Sequence, residues 1–198
     1  MFKKIVIVFL LMLGLGNLNA QTVKVSVGMK GYGGYTLANT DIPSEFGGLL
    51  GGGGGAFTGI KIANIVGIQA EVLADYNFGA FSDSSLKAST NQVYLHIPMV
   101  VQIWCGRSVA FEAGYQQSIA MSGKLNLEGQ SMDDKGILDY GSAVAGVHFN
   151  LGKILFLNLR YCHALTPSYV QIQNPAKYMN IQLSVGFRIF NSKKSVFE

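Results

Sequence analysis

The chain has 198 residues, of which 49 % are hydrophobic and 13 % charged, with 25 glycines and a formal net charge of +4. Ordinary soluble domains carry about 25 % charged residues, so this composition disfavours a soluble protein with a charged exterior. The charges are scattered along the sequence, with no basic stripe among the aromatic residues. We therefore expect no nucleic-acid partner.

The first 20 residues predict a cleaved signal peptide. Lys3 and Lys4 supply the positive start, residues 5–15 form an apolar run, and Ala20 ends a small-residue cleavage site. A membrane anchor is the alternative, but the run is short. No later run approaches the roughly 18 apolar residues of a membrane helix, so the mature chain is either secreted or inserted as a barrel.

Eight later segments alternate large apolar residues with small or polar ones, as the two faces of a β-strand do. The clearest is the last, where Ile181, Leu183 and Val185 alternate with Gln182 and Ser184. Its length of about eleven residues suits a tilted strand that crosses a bilayer. In chain order the segments are 22–35, 55–63, 66–80, 92–104, 108–121, 138–150, 153–165 and 179–190.

The connections between these segments alternate in length. Short turns are predicted near Asn64, Gly106 and Gly152. The long connections are rich in Gly, Ser, Asn, Asp and Pro, and Gly51 to Gly55 are expected to form a flexible loop. These long connections are 36–54, 81–91, 122–137 and 166–177.

An even number of strands, with short turns at one rim and long loops at the other, is typical of outer-membrane barrels. The predicted fold is therefore all-β: an eight-stranded antiparallel up-and-down transmembrane β-barrel. It would occupy residues 21–190 and leave a short tail at 191–198.

The aromatic residues predict two girdles, one at each membrane interface. The tyrosines fall toward the long-loop rim, and Trp104 with five phenylalanines falls toward the short-turn rim. The first group is Tyr32, Tyr35, Tyr76, Tyr94, Tyr115, Tyr140, Tyr161, Tyr169 and Tyr178. The second is Trp104, Phe111, Phe149, Phe156, Phe187 and Phe190.

Several short motifs carry a family resemblance over nearly the whole mature chain. They are the segments 25–31, 68–73, 94–99, 111–115 and 183–190. With them the chain resembles the small porin-like outer-membrane β-barrel family of Bacteroidetes. The resemblance implies an outer-membrane location and the barrel-assembly machinery as partner during insertion. Such barrels commonly end on an aromatic residue, whereas here Asn191 to Glu198 follow Phe190.

The polar faces collect charges of both signs, which would point into the barrel. An eight-stranded barrel has an interior just wide enough for side chains, so opposite charges there should pair. We expect a packed polar core, with a narrow conduit or binding cavity as the alternative. Arg188 is expected to pair with an acid such as Glu71 or Glu112. The predicted lumen network is Lys24, Lys30, Glu71, Asp75, His96, Glu112, His148, Arg160 and Arg188.

No metal, cofactor or catalytic site is predicted. The histidines lack ligand spacing, and Cys105 and Cys162 fall at opposite rims, too far apart for a disulfide. The stretch from Arg160 to His163 resembles lipid A deacylases, but Leu165 occupies the position of the serine nucleophile. The glycine run lacks the Lys-Ser/Thr pair of a phosphate loop.

The predicted function is a structural or surface-interaction role. The long loops would face the exterior and contact lipopolysaccharide or external partners, and the termini would face the periplasm. The alternative is a narrow porin-like channel or a small-ligand carrier that uses the lumen. A lipid A-modifying enzyme is the third hypothesis. The barrel is expected to be a monomer.

Overall fold

The computed structural model describes residues 22–39, 48–83, 86–127, 130–134, 136–171 and 174–195. The predicted signal peptide at 1–20 and residues 196–198 of the predicted tail lie outside these ranges. The described residues include no helical segment with the length and hydropathy of a membrane span.

Eight long strands form a closed antiparallel barrel, which confirms the predicted fold. Each strand pairs with its neighbours in chain order, and the first pairs with the last to close the wall. The wall strands are β1 (Thr22–Asn39), β2 (Leu49–Ile62), β3 (Val66–Asp83), β4 (Leu86–Cys105), β5 (Val109–Leu127), β7 (Tyr140–Leu151), β8 (Leu155–Ala164) and β10 (Asn174–Ser195). Two short strands, β6 (Gln130–Asp133) and β9 (Tyr169–Gln171), add to β5 and β10 at the long-loop end.

The apolar faces of the strands point outward. On β10, Leu183 and Val185 are 59 % and 53 % exposed, whereas Gln182 and Ser184 between them are buried. The same alternation recurs around the wall and produces a continuous exposed apolar surface. Soluble monomers rarely expose such a surface, so this face is the one that meets lipid.

The three short turns lie where the sequence predicts them. Between β2 and β3, Ala63 and Asn64 have φ values of 51° and 59°, and the Ile65 amide donates to the Ile62 carbonyl at 3.0 Å. Two central residues in the left-handed region are the mark of a type I′ hairpin, whose twist matches that of the strands. Gly106 and Gly152 supply the left-handed residues of the other two turns, with φ of 84° and 97°.

The predicted strands were too short at the long-loop end, and the last strand was also too short at its C-terminal end. Backbone pairing of β3 and β4 continues to Asp83 and Leu86, and β10 continues to Ser195, which pairs with Thr22 of β1. The strand therefore extends into the predicted tail. A hairpin ladder joins backbone groups whatever the side chains are, so a polar and glycine-rich composition was wrongly interpreted as loop.

The glycine run is strand, which corrects the predicted flexible loop. Gly51 to Gly55 lie within β2 and pair with both β1 and β3. A Cβ at Gly53 or Gly55 would come within 2.1 or 1.9 Å of a carbonyl oxygen of β3. At these two positions the close approach of the backbones requires glycine.

The predicted aromatic girdles are only half correct. Of the rings assigned to the girdles, four tyrosines and four phenylalanines face outward, whereas six others are buried in the lumen. The outward rings are Tyr35, Tyr76, Tyr115, Tyr161, Phe111, Phe149, Phe187 and Phe190. The buried rings are Tyr32, Tyr94, Tyr140, Tyr178, Trp104 and Phe156. The position of an aromatic residue along its strand sets how near its ring lies to either rim. Whether the ring faces lipid or the lumen depends on the alternation of side chains along the strand, which we call the parity of the position. Tyr169 lies in β9.

Candidate functional site in the lumen

Four charged side chains meet in the middle of the lumen, with side-chain exposure of 0 %. The guanidinium of Arg160 donates to both carboxylate oxygens of Glu71, at 2.9 and 2.6 Å, and its Nε donates to Glu112. Lys30 Nζ donates to Glu71 at 3.0 Å. Two cations and two carboxylates balance within this central cluster, so no net charge is buried.

The central cluster crosses the barrel. Its members come from β1, β3, β5 and β8, which are alternate strands around the closed wall. Glu71 on β3 and Arg160 on β8 are four strands apart and therefore stand on opposite walls. The bidentate Arg160–Glu71 pair thus ties one wall to the other across the lumen.

Neutral amides occupy the remaining hydrogen-bonding capacity of the carboxylates. Gln69 donates to Glu71 at 2.6 Å, and Gln102 and Asn158 each donate to Glu112 at 3.2 Å. Buried charges are tolerated only when paired and hydrogen-bonded in this way. The sequence interpretation omitted these amides, although their inward parity in β3, β4 and β8 identifies them.

A second group lies on the long-loop side of the central cluster. His96 Nε2 is 3.2 Å from Asp75 Oδ2, and His96 Nδ1 is 2.8 Å from Ser118 Oγ. The ring of Tyr94 stacks on His96 with centroids 5.9 Å apart, and Tyr140 packs edge-on against Tyr94 at 5.4 Å. These rings fill part of the lumen on that side.

A third group lies on the short-turn side. His148 stacks on Phe156 with centroids 4.6 Å apart, and Phe57 meets Phe156 edge-on at 5.2 Å. Arg188 Nη2 is 3.0 Å from His148 Nε2, and its guanidinium carbon is 4.8 Å from the Phe156 centroid.

The predicted pairing of Arg188 with an acid is wrong. Arg160 takes both Glu71 and Glu112, while Arg188 contacts His148 and Asn150 instead. Arg188 stands six residues beyond Gln182, the β10 partner of Arg160, so it lies nearer the short-turn rim.

The structure thus distributes the predicted lumen residues over three levels and a rim. Lys30, Glu71, Glu112 and Arg160 meet in the central cluster, Asp75 meets His96, and His148 meets Arg188. Lys24 stands apart at the short-turn rim, where it donates to Asn64 Oδ1 at 2.7 Å.

Comparison with known proteins agrees with this geometry. The family described as "Outer membrane protein beta-barrel domain" matches residues 5–188. The chain belongs to this family. The barrel is therefore an outer-membrane protein, while the Bacteroidetes group stays a prediction. No curated protein matches the chain.

The chain is also similar to solved outer-membrane barrels. Neisserial surface protein A is 10 % identical with a TM-score of 0.51, and the match covers 85 % of this chain and 97 % of that one. Ail, the attachment invasion locus protein of Yersinia pestis, solved with the heparin analogue sucrose octasulfate, is 14 % identical with a TM-score of 0.48. That match covers 87 % of this chain and 100 % of Ail. OprG from Pseudomonas aeruginosa is 9 % identical with a TM-score of 0.38, covering 86 % and 96 %. At 10 % identity, the likeness to neisserial surface protein A concerns the fold alone.

The residues considered for metal or nucleophilic chemistry do not meet in this outer-membrane barrel. His163 faces outward, 3.2 Å from the Tyr161 hydroxyl, whereas Cys162 is buried and Cys105 is exposed, both as free thiols. Among the residues that the structure describes, no group of three His, Cys, Asp or Glu side chains could hold a metal ion.

Proposed function

We propose that the protein is a closed, non-catalytic outer-membrane barrel that acts through the hairpins at its long-loop end. One observation carries this proposal: the central cluster ties opposite walls together, with no exposed side chain among its four members. Hydrated ions would have to break a bidentate Arg160–Glu71 pair to pass. A conduit is therefore the weaker hypothesis.

Features of the long-loop end support a surface role. Outside the lumen, Tyr35 and Tyr161 flank Ile181 in one cross-strand row, where their rings suit the outer membrane interface. Lys124 and Lys177 are exposed at the same end of the barrel. Exposed cations and interfacial tyrosines at the same end suit contact with the phosphates of lipopolysaccharide, which we propose as the partner of this rim.

A planar-bilayer recording tests the closed lumen. The purified barrel is expected to give no steady ohmic conductance in single-molecule recordings, while a general porin in the same bilayers conducts. Steady conductance that scales with salt concentration would contradict the proposal and favour the channel.

Trimming one hairpin tests the surface role. Residues 81–88 are removed and Ala80 is joined to Ser89, its β4 partner, through an Asn-Gly turn. In nanodiscs, this variant is expected to bind purified lipopolysaccharide less tightly than the full barrel does. The double variant Lys124→Gln and Lys177→Gln is expected to lose as much affinity for lipopolysaccharide. Unchanged binding by both variants would contradict this partner.

A further inference from the structure

A cavity of about 200 Å³ opens at the short-turn end of the barrel, below the third group of the lumen. Its wall includes inward-facing positions of β1, β2 and β10 and parts of two turns. Five of the lining residues are basic: Lys24, Lys61, Arg107, Lys153 and Arg188. None of the described residues that line it is acidic.

The charges of these five residues are not neutralised within the described part of the chain. The ion pairs there involve Lys30, Arg160 and His96 as the basic partners, and none of the five cavity cations. Lys24 donates to the neutral Asn64, and Lys61 Nζ lies 3.3 Å from the centroid of the Trp104 ring. Neutral partners position a cation but leave its charge to attract an anion.

The nearest layer of the lumen does not supply carboxylates to this cavity. Gln69 and Gln102 line it, and their amide nitrogens donate away from it to Glu71 and Glu112. Those carboxylates are already held by Arg160 and Lys30. The side of the cavity that faces the lumen is therefore neutral. No carboxylate on that side compensates the charge of the five cations.

A buried donor in the wall adds to the field. Trp104 lines the cavity with only 8 % exposure, and its indole Nε1–H has no acceptor among the described residues. Ammonium, guanidinium and indole groups are all donors, so they suit a ligand whose surface consists of acceptors. Buried donors are nearly always satisfied, so this indole N–H is an unmet donor in the cavity wall.

We propose that this cavity binds a compact multivalent oxyanion, such as a phosphate-bearing group. Its volume is below the roughly 300 Å³ at which sites for drug-sized ligands begin, which favours a small ligand. Lys24, Lys61 and Arg188 stand on the inward register of their strands, so the site opens to the water at the barrel mouth and not to the lipid. A soluble anion is therefore the expected source, and an anionic lipid headgroup is the other.

Trp104 is the only tryptophan of the chain, so the tryptophan fluorescence reports on this site without an added label. The full barrel in phosphatidylcholine nanodiscs is titrated with inorganic pyrophosphate while the tryptophan emission is recorded. A saturable change is expected, because a bound anion draws the Lys61 ammonium away from the indole ring. Sodium chloride at matched ionic strength is expected to give no saturable change, and calorimetry measures the same dissociation constant independently.

Variants that each remove lysine charges test whether the fluorescence response comes from this cavity. The double variant Lys24→Gln and Lys153→Gln leaves the contact between Lys61 and Trp104 intact. It is expected to raise the dissociation constant for pyrophosphate by about tenfold or more, which is the loss of affinity expected for one charge-assisted hydrogen bond. Lys124→Gln removes a cation from the opposite end and is expected to leave the constant unchanged. Heat-modifiable gel migration verifies that each variant is folded.

The outcomes separate the two sources of phosphate. Phosphatidylglycerol nanodiscs are used without pyrophosphate as the second probe. If they change the tryptophan emission, and the double variant loses that change, the ligand of the same site is a lipid headgroup. The absence of a saturable response to either probe would overturn the proposal. A saturable response that is weakened equally by the double variant and by Lys124→Gln would also overturn the proposal. Lipopolysaccharide binding at the opposite end is measured separately and does not depend on this result.

Discussion

At the scale of single residues, Arg160 organises the lumen. Its five N–H donors form a planar fork, which allows one side chain to serve both Glu71 and Glu112. Lysine could not replace it, because an ammonium lacks the fork and the reach in two directions. The central cluster therefore depends on one guanidinium.

Replacing that guanidinium should destabilise the barrel strongly. Arg160→Met leaves Glu112 buried without its cation, and we expect a loss of about 3–5 kcal/mol in the free energy of unfolding. Urea unfolding in phospholipid vesicles measures it. The added change Glu112→Gln should recover part of the loss, because it removes the uncompensated carboxylate.

The exposed turn residue Arg107 provides the control. Arg107→Met should change the free energy of unfolding by less than about 0.5 kcal/mol, as surface substitutions usually do. If Arg160→Met costs no more than this control, the central cluster is not a stabilising element.

At the scale of the strand, parity decides the environment of each side chain. On β10, Val185 faces lipid while its neighbour Ser184 is buried in the lumen. Parity was readable from the sequence, and it placed Glu71, Glu112 and Arg160 on the inward face. Partner choice was not readable, because it depends on which strands stand opposite one another after closure.

Adjacent positions of β10 should therefore respond in opposite ways to substitution. Val185→Arg puts a charge on the lipid face and is expected to cost about 2–4 kcal/mol near the bilayer midplane, which lowers the folded fraction. Ser184→Ala should be neutral, because the Ser184 hydroxyl has no hydrogen-bond partner among the described residues. Heat-modifiable gel migration after refolding into vesicles measures both. Equal folding of the two variants would contradict a lipid-facing Val185.

In the complete barrel, closure brings together charges that look scattered along the sequence. Lys24, Lys61, Arg107, Lys153 and Arg188 come from five separate segments and meet around one cavity. Antiparallel strands joined by short turns bring every second connection to the same rim. The two ends of the barrel consequently differ in chemistry.

The proposed orientation places the short-turn end in the periplasm, and Cys105 tests it. A membrane-impermeant maleimide is expected to label Cys105 only after the outer membrane is permeabilised, and to spare the buried Cys162. Met132→Cys in a Cys105→Ser background should be labelled on intact cells, because exposed Met132 lies in β6 at the other end. The reverse labelling pattern would invert the orientation.

The sequence alone determined the class of fold, the number of wall strands and the face on which most side chains lie. These depend on local properties: a period of two, a length that matches the bilayer, and turn residues such as Asn64 and Gly106. The same local signals misjudged Gly51 to Gly55 and the ends of the long strands, because backbone pairing does not depend on side-chain polarity.

Which inward residues meet depends on the assembled barrel and not on the sequence pattern. Arg160 and Glu71 are 89 residues apart, and the closure of β1 onto β10 is what places β8 opposite β3. Closure also gathered five cations at one rim. Alternation along a strand assigns a face to each residue, whereas contact across a lumen depends on the complete ring of strands.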